Sequence, residues 1–135
     1  MPETPTILVV DDEEVVRIAL TDILDMYGYH VITAASGNEA IRIVAGTPTG
    51  SVRLAILDLM MTGIDGIETM RRLTALDPNT QIIISSGYDE SETYERFQLS
   101  EKDRTTLHFL QKPYPMAEIM RLVRSRLAGR PRRPE

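Results

Sequence analysis

The stretch LAILDLMM, residues 54–61, places a carboxylate in the middle of an apolar run. Four apolar residues precede Asp58 and three follow it. Apolar residues at successive positions are typical of a strand covered on both faces, as in a parallel sheet. Carboxylates are rarely buried without a partner, so the fold must bring something to this position. The stretch predicts a buried strand that ends in an acid.

Four further short apolar runs lie on either side of this one. They are ILVV (7–10), VIT (31–33), IIIS (82–85) and LHFL (107–110). The segments between them have helical spacing, with apolar stripes at Val16/Leu20/Ile23/Tyr27, Ala40/Ile41/Val44, Ile67/Met70/Leu73 and Met116/Ile119/Val123/Leu127. A weaker pattern predicts one more helix between residues 89 and 100. The alternation predicts an α/β fold, a doubly wound parallel sheet with helices on both faces.

Composition indicates an ordinary globular chain. Of its 135 residues, 42% are hydrophobic and 26% are charged, and none is cysteine, so disulfides and thiol chemistry are excluded. No apolar run approaches the roughly 20 residues of a membrane span. The first residues, MPETPT, lack the basic and apolar segments of a secretion signal. We therefore expect a cytoplasmic protein that does not contact membranes.

Charge is distributed unevenly along the chain. Residues 121–135 hold six arginines and one acid, while the chain as a whole has a net charge of −5. A basic tail can attract nucleic acid, but no recognition helix and no interleaved aromatic residues accompany it. Cations also suit the last turns of a helix. Direct binding of nucleic acid is therefore not expected.

Polar side chains follow the predicted strands at their carboxyl ends. Asp11 and Asp12 follow the first strand, Asp58 ends the third, Ser86 follows the fourth and Lys112 the fifth. These residue types also have common structural roles that need no functional site, since acids can cap a helix and a serine before glycine is a common turn signal. Ligands of open parallel sheets, however, bind beyond the carboxyl ends of the strands. Because these polar residues all lie at the same edge of the sheet, we expect them to form one functional site.

The motifs ILVVDDEE, LAILDLMMTGIDG, IIISSG and FLQKPY, at these spacings, resemble the response-regulator receiver domain of two-component signalling. The resemblance covers residues 6 to about 127 and implies one domain over 1–135 with a basic tail at 128–135. It also implies a flavodoxin-like five-stranded sheet in the order 2-1-3-4-5. Thr62 stands where the family often has proline, and the segment from Ser86 to Lys112 is a few residues longer than usual.

The resemblance implies a phosphorelay function. Asp58 would accept a phosphoryl group from a histidine kinase or a histidine phosphotransfer domain, acting as the nucleophile. Mg²⁺ would be bound by Asp11, Asp12, Asp58 and the backbone carbonyl of Met60. Lys112 would pair with a phosphoryl oxygen. Such a domain is not an enzyme for another substrate, because it catalyses only its own phosphorylation and dephosphorylation.

Further residues follow from the same resemblance. The Ser86 hydroxyl would bind a second phosphoryl oxygen, and Gly87 would leave space for the phosphate. Phe109 matches the family's switch aromatic, so the surface around 87–114 is expected to respond to phosphorylation. The peptide bond between Lys112 and Pro113 is expected to be cis.

Two bulky side chains match the positions that flank the path of a hydrolytic water. They are Met60 and Tyr88, and neither can orient water as an acid or an amide would. A long-lived phosphorylated state is therefore expected. The alternative is that both residues only pack against the loop or contact a partner.

Other classes of protein fit the sequence less well. A calcium loop that began at Asp58 would place Met60 and Thr69 at ligand positions. A nucleotide-binding fold would have a glycine-rich loop after the first strand, where this chain has DDEE. A phosphate-independent pseudo-receiver that acts as a protein-interaction module is the remaining alternative. The sequence does not specify the kinase or the downstream protein. It also does not decide whether the chain forms a homodimer or lies at the C-terminal end of a hybrid sensor kinase.

Overall fold

The computed structural model describes residues 6–61 and 66–128. Thr62 and residues 129–135 of the basic tail lie outside this range. The elements in chain order are β1 (Thr6–Val10), α1 (Glu14–Met26), β2 (His30–Ala34), α2 (Gly37–Ala45), β3 (Val52–Asp58), α3 (Gly66–Leu76), β4 (Gln81–Ser86), α4 (Glu90–Arg96), α5 (Glu101–Thr106), β5 (His108–Gln111) and α6 (Met116–Ala128).

The five strands form one parallel sheet in the order β2-β1-β3-β4-β5, which confirms the predicted fold. Strand order reverses between β1 and β3, because β2 lies on one side of β1 and β3 on the other. In register, Val10 lies opposite Ala34 and Leu57, and Asp58 lies opposite Ser85. The carboxyl ends of the central strands therefore lie side by side at the point where strand order reverses.

The core consists of two apolar clusters, one on each face of the sheet. Alternate residues of β1 divide between them: Leu8 and Val10 join the cluster with α2 and α3, and Ile7 and Val9 join the cluster with α1 and α6. All four are fully buried. This two-sided burial explains why the strands are apolar at successive positions. None of the helices in the described part of the chain is both long and apolar enough to cross a membrane.

The weakly patterned segment after β4 forms the helix expected at 89–100, which is α4, and a second helix, α5, that the sequence did not predict. Helix α4 ends at Arg96, and Gln98 then adopts the left-handed conformation with φ 56°. Helix α5 begins after Ser100, whose side chain accepts from the Asp103 backbone N–H while the Asp103 side chain accepts from the Ser100 N–H. This capping box starts a six-residue helix that has no apolar stripe. The second helix lies within the segment from Ser86 to Lys112, which the sequence comparison with the family motifs predicted to be longer than usual.

Asp103 also connects α5 to α3. Its carboxylate accepts two hydrogen bonds from the guanidinium of Arg71, at 2.9 and 3.0 Å. The Asp103 side chain is 10% exposed and that of Arg71 is 50% exposed. The hydrogen bonds from Arg71 are the main cause that lowers the pKa of Asp103 to about 2. This pair should hold α5 against the body of the domain.

We predict that Arg71→Met lowers the free energy of unfolding by about 1–2 kcal/mol at pH 7, because a largely buried carboxylate loses a bidentate partner that is itself half exposed. A carboxyl group whose pKa is lower in the folded state contributes stability above its unfolded pKa. That contribution disappears as the pH falls through the folded value. Roughly half of the difference between wild type and variant should therefore be lost between pH 7 and pH 3.

Urea unfolding of both proteins across this range measures the effect. Arg72→Met is the matched control, since Arg72 pairs with Glu68 on the same helix and both side chains are about half exposed, at 53% and 50%. It should cost under about 0.5 kcal/mol. Equal costs for the two variants would contradict the anchoring role of Arg71.

Candidate functional site

Backbone hydrogen bonds fix the chain just beyond the strand ends. The Asp11 N–H donates to the Ala34 carbonyl at 3.1 Å, and the Leu59 N–H donates to the Ser85 carbonyl at 2.9 Å. The Lys112 N–H donates to the Ser86 carbonyl at 2.8 Å. The sheet thus sets the backbone positions from which the polar side chains project. The peptide bond between Lys112 and Pro113 is cis.

Three carboxylates meet at this edge. Asp11, Asp12 and Asp58 each offer an oxygen such that all three oxygens lie within 4.8 Å of one another. Asp11 and Asp58 are each 3% exposed, whereas Asp12 is exposed to solvent. Glu13 is the N-cap of α1 and makes no side-chain capping bond, and its N–H donates to Asp11 Oδ1 at 2.9 Å. The arrangement is a cluster of acids with one side open to solvent.

Lys112 is the cation that the buried carboxylates contact. Its Nζ lies 2.8 Å from Asp11 Oδ2 and 3.3 Å from Asp58 Oδ2. The other oxygen of Asp58 accepts a hydrogen bond from the Met60 N–H at 2.9 Å. These partners answer the question raised by the apolar run, since Asp58 is buried but both of its oxygens are paired.

Burial and neighbouring charges both shift the pKa values of Asp58 and Lys112. Burial raises the pKa of Asp58, and repulsion from Asp11 adds to that effect, while the Met60 N–H and Lys112 oppose it. Burial alone would lower the pKa of Lys112, but its hydrogen bonds and attraction to Asp11 and Asp58 raise that pKa well above its ordinary value. Lys112 is therefore charged at neutral pH. Its ammonium thus lies among carboxylates that remain available to other cations and to solvent at the open side of the cluster.

The residues present fit a magnesium ion. Mg²⁺ prefers oxygen ligands, and ligands of an octahedral ion at about 2.1 Å lie about 3 Å apart when adjacent and about 4 Å apart when opposite. The three carboxylate oxygens lie within 4.8 Å of one another, so small side-chain movements would bring them to these spacings. The open side of the cluster leaves room for the waters that Mg²⁺ usually retains.

A pocket open to solvent lies over Asp58. It is lined by Asp12, Glu13, Asp58, Met60, Gly87 and Lys112. Met60 lines this pocket and is 45% exposed, so a large apolar side chain borders the approach to Asp58. The sequence prediction placed Met60 at this point, and it placed Gly87 where a phosphate would enter.

Three other predicted residues face α4 and do not line this pocket. The Ser86 hydroxyl is fully buried and is bonded to Tyr88 and Thr93. The Tyr88 ring lies under the guanidinium of Arg96, with 4.2 Å from Cζ to the ring centroid. Phe109 makes an edge-to-face contact with Tyr94, with ring centroids 6.4 Å apart. These three residues therefore connect the strand ends to one helix.

Gly66 permits the close approach of α3 to the acceptor strand. A Cβ at this position would lie 2.6 Å from Leu59 Cα and 3.0 Å from the Asp58 carbonyl oxygen. Both atoms belong to the backbone, which cannot move aside cheaply. Any larger residue would push the chain next to Asp58 out of place. The second glycine of the GIDG motif is thus needed because of how α3 packs.

Sequence reasoning did not identify Arg17, Thr93 or Tyr114. Arg17 Nη1 donates to the Asp11 carbonyl at 2.8 Å and so supports the loop after β1. The Tyr114 hydroxyl is buried without a hydrogen-bond partner among the described residues, and burial raises its pKa to about 12. Nothing in the sequence pattern indicated Arg17 or Thr93. Tyr114 directly follows the quoted KP motif, so its position was visible even though its burial was not.

Comparison with known proteins identifies this arrangement. The family model of the response regulator receiver domain matches residues 7–124. The chain belongs to the response regulator receiver domain family. Sporulation initiation phosphotransferase F from Bacillus subtilis is 32% identical over 121 residues, which are 90% of this chain and 92% of that protein.

Two further similarities extend the comparison. Sensor kinase CckA from Brucella abortus is 32% identical over 122 residues, which are 90% of this receiver chain but 12% of the kinase. Response regulator TrrA from Thermotoga maritima, solved in complex with Mg(2+)-BeF, is 27% identical with a TM-score of 0.73. That match covers 91% of this chain and 99% of the other. The receiver chain spans about half or less of the length of several curated relatives.

Receiver domains are the phosphoryl-accepting modules of two-component systems and bind Mg²⁺ at an acidic pocket. In this chain, Asp11, Asp12 and Asp58 are acids that cluster at the carboxyl edge of the sheet.

Proposed function

We propose that this receiver domain accepts a phosphoryl group on Asp58 from the phosphohistidine of a histidine kinase or a histidine phosphotransfer domain. The observation that carries the proposal is the cluster of three carboxylates with Lys112 bonded to two of them. Matches to a phosphotransferase and to a sensor kinase support the choice of phosphodonor.

The chemistry is a displacement at phosphorus. An oxygen of Asp58 forms the new bond to phosphorus as the bond to the donor imidazole nitrogen breaks, and the ring, already protonated on its other nitrogen, leaves as neutral imidazole. The product is an acyl phosphate. Mg²⁺ held by Asp11, Asp12, Asp58 and the Met60 carbonyl would neutralise charge on the phosphoryl oxygens.

The chain's own groups prepare the acceptor for this step. The Met60 N–H fixes one oxygen of Asp58 at 2.9 Å and so sets the orientation of the carboxylate. The Lys112 ammonium is a compact charge already at the site. It can exchange its hydrogen bonds to the carboxylates for one to a phosphoryl oxygen as the phosphoryl group arrives. Phosphorylation adds up to about two negative charges, which should draw Ser86 and Lys112 towards the phosphate. That movement would alter the surface around 87–114.

A phosphate-independent pseudo-receiver is the rival function. The complete set of acids and the paired Lys112 favour the phosphoacceptor, because a pure interaction module would not need to hold three carboxylates together. The two functions differ in whether Asp58 takes up phosphate at all.

We predict that acetyl phosphate with Mg²⁺ adds one phosphoryl group to the wild-type domain and none to Asp58→Asn, since an amide oxygen is too weak a nucleophile. Intact-mass measurement reports the extent of labelling. Asp22→Asn, at an exposed position on α1, is the matched control and should be labelled like wild type. Labelling of Asp58→Asn at the wild-type extent would refute Asp58 as the acceptor, and no labelling of any protein would favour the pseudo-receiver.

We also propose that Met60 and Tyr88 slow hydrolysis of the acyl phosphate. A hydrolytic water must lie in line with phosphorus, opposite the Asp58 oxygen. Met60 lines the pocket there, whereas Tyr88 lies under Arg96. Met60 should therefore have the larger effect on the lifetime.

Replacing Met60 by Asn and Tyr88 by Glu should speed dephosphorylation by roughly tenfold, about 1.4 kcal/mol of barrier, because the path becomes open and polar. Most of this effect should appear in Met60→Asn alone. The measurement is the decay of phosphorylated protein after donor removal at constant Mg²⁺. Equal decay rates in wild type and the double variant would show that these side chains do not set the lifetime.

A further inference from the structure

The Ser86 hydroxyl is bound on the α4 side of the sheet edge. Its oxygen accepts a hydrogen bond from the Tyr88 N–H at 3.0 Å and lies 3.0 Å from Thr93 Oγ1. Thr93 Oγ1 in turn lies 3.3 Å from the Tyr88 carbonyl oxygen. These bonds form a closed ring among Ser86, Tyr88 and Thr93. Ser86 and Thr93 are both fully buried, so water cannot replace a bond that is lost.

Either hydroxyl can supply the proton of the bond between Ser86 and Thr93. The Ser86 hydroxyl is fully buried and is not among the groups that line the pocket over Asp58. To donate to a phosphoryl oxygen on Asp58, it must therefore turn away from Thr93. A buried hydroxyl that loses its partner raises the free energy of that state, so the bond to Thr93 opposes the engagement of Ser86.

We propose that Thr93 is a positioning residue for phosphoryl signalling. It keeps the Ser86 hydroxyl hydrogen-bonded to α4 until that hydroxyl binds a phosphoryl group on Asp58. This inference rests on the proposed function. It assigns a role to a residue outside the metal and acceptor set.

The position of Thr93 also connects the site to the responding surface. The next residue, Tyr94, is 3% exposed and packs edge-to-face on Phe109. Arg104 of α5 lies over the same ring, 4.6 Å from its centroid. Departure of Ser86 removes a contact between β4 and α4 next to this aromatic pair. The helix and the aromatic contact are therefore free to shift together when the site is phosphorylated.

Beryllofluoride with Mg²⁺ is the probe, because it occupies a phosphoryl site without covalent chemistry. Thr93→Val keeps the shape of the side chain but removes the hydroxyl, so it should raise the affinity for beryllofluoride by roughly three- to tenfold. Thr93→Ser retains the hydroxyl and should bind like wild type. In a Ser86→Ala background, Thr93→Val should have no effect on affinity, because the bond that it removes is already absent.

This cycle separates positioning from a merely structural role. A Thr93→Val domain that folds, as judged by urea unfolding, but binds beryllofluoride no more tightly than wild type would overturn the proposal. The same change in affinity in the presence and absence of Ser86 would also overturn it. If the wild type neither binds beryllofluoride nor becomes phosphorylated on Asp58, the proposed function itself is contradicted.

A measurement on the wild-type domain avoids any dependence on how a variant folds. The Tyr88 N–H donates to Ser86 Oγ, so its amide should lose protection from hydrogen exchange when beryllofluoride binds. The Lys112 N–H, which donates to the Ser86 carbonyl, is the internal reference and should keep its protection. An unchanged Tyr88 amide in the saturated complex would show that Ser86 stays with Thr93.

Discussion

The ion pairs of Lys112 with Asp11 and Asp58 are the interaction on which this site depends. Two carboxylates with 3% exposure lie at the ends of adjacent strands, and burial together with repulsion from Asp11 raises the pKa of Asp58. Lys112 reaches both of them from the end of β5, and its ammonium opposes the rise in the pKa of Asp58. Removing one member of such a group leaves an uncompensated buried charge, which is strongly destabilising. The same ammonium is placed to contact an arriving phosphoryl group.

The backbone around the site holds these charges at fixed positions. Hydrogen bonds that continue the sheet beyond its strand ends set the chain at Asp11, Leu59 and Lys112. Gly66 lets α3 begin directly against the backbone after Asp58. A rigid edge of this kind keeps like charges together that would separate in a flexible loop. Carboxylate oxygens held together in this way are the ligands that favour a divalent cation.

The sheet and the acidic site could be predicted because their signals are local. Strands covered on both faces are apolar at successive positions, and the residue that ends each strand lies at a known edge of the sheet. Asp58 could therefore be placed beside Asp11 and Lys112 although they are far apart in sequence. The confirmed strand order came from the resemblance of the motifs to a family, since no local pattern specifies it.

The segment around α4 and α5 could not be predicted in the same way. Helix α5 has no apolar stripe, and the left-handed residue before it is Gln98, not a glycine. Only the spacing of Ser100 and Asp103 indicated a helix start. Contacts such as Arg96 on Tyr88 and Thr93 on Ser86 depend on how α4 packs. Tertiary packing decides them, so the connection from the site to the helix is visible only in the structure.

Calorimetric titration with MgCl₂ tests most directly whether the three clustered carboxylates form a metal site. We expect one ion bound per wild-type chain and at least about tenfold weaker binding by Asp12→Asn, a loss of about 1.4 kcal/mol. Asp25→Asn, at an exposed position near the end of α1, should bind Mg²⁺ as wild type does. Equal affinities of wild type and Asp12→Asn for Mg²⁺, or no binding of Mg²⁺ by the wild-type domain, would contradict a metal site at these carboxylates.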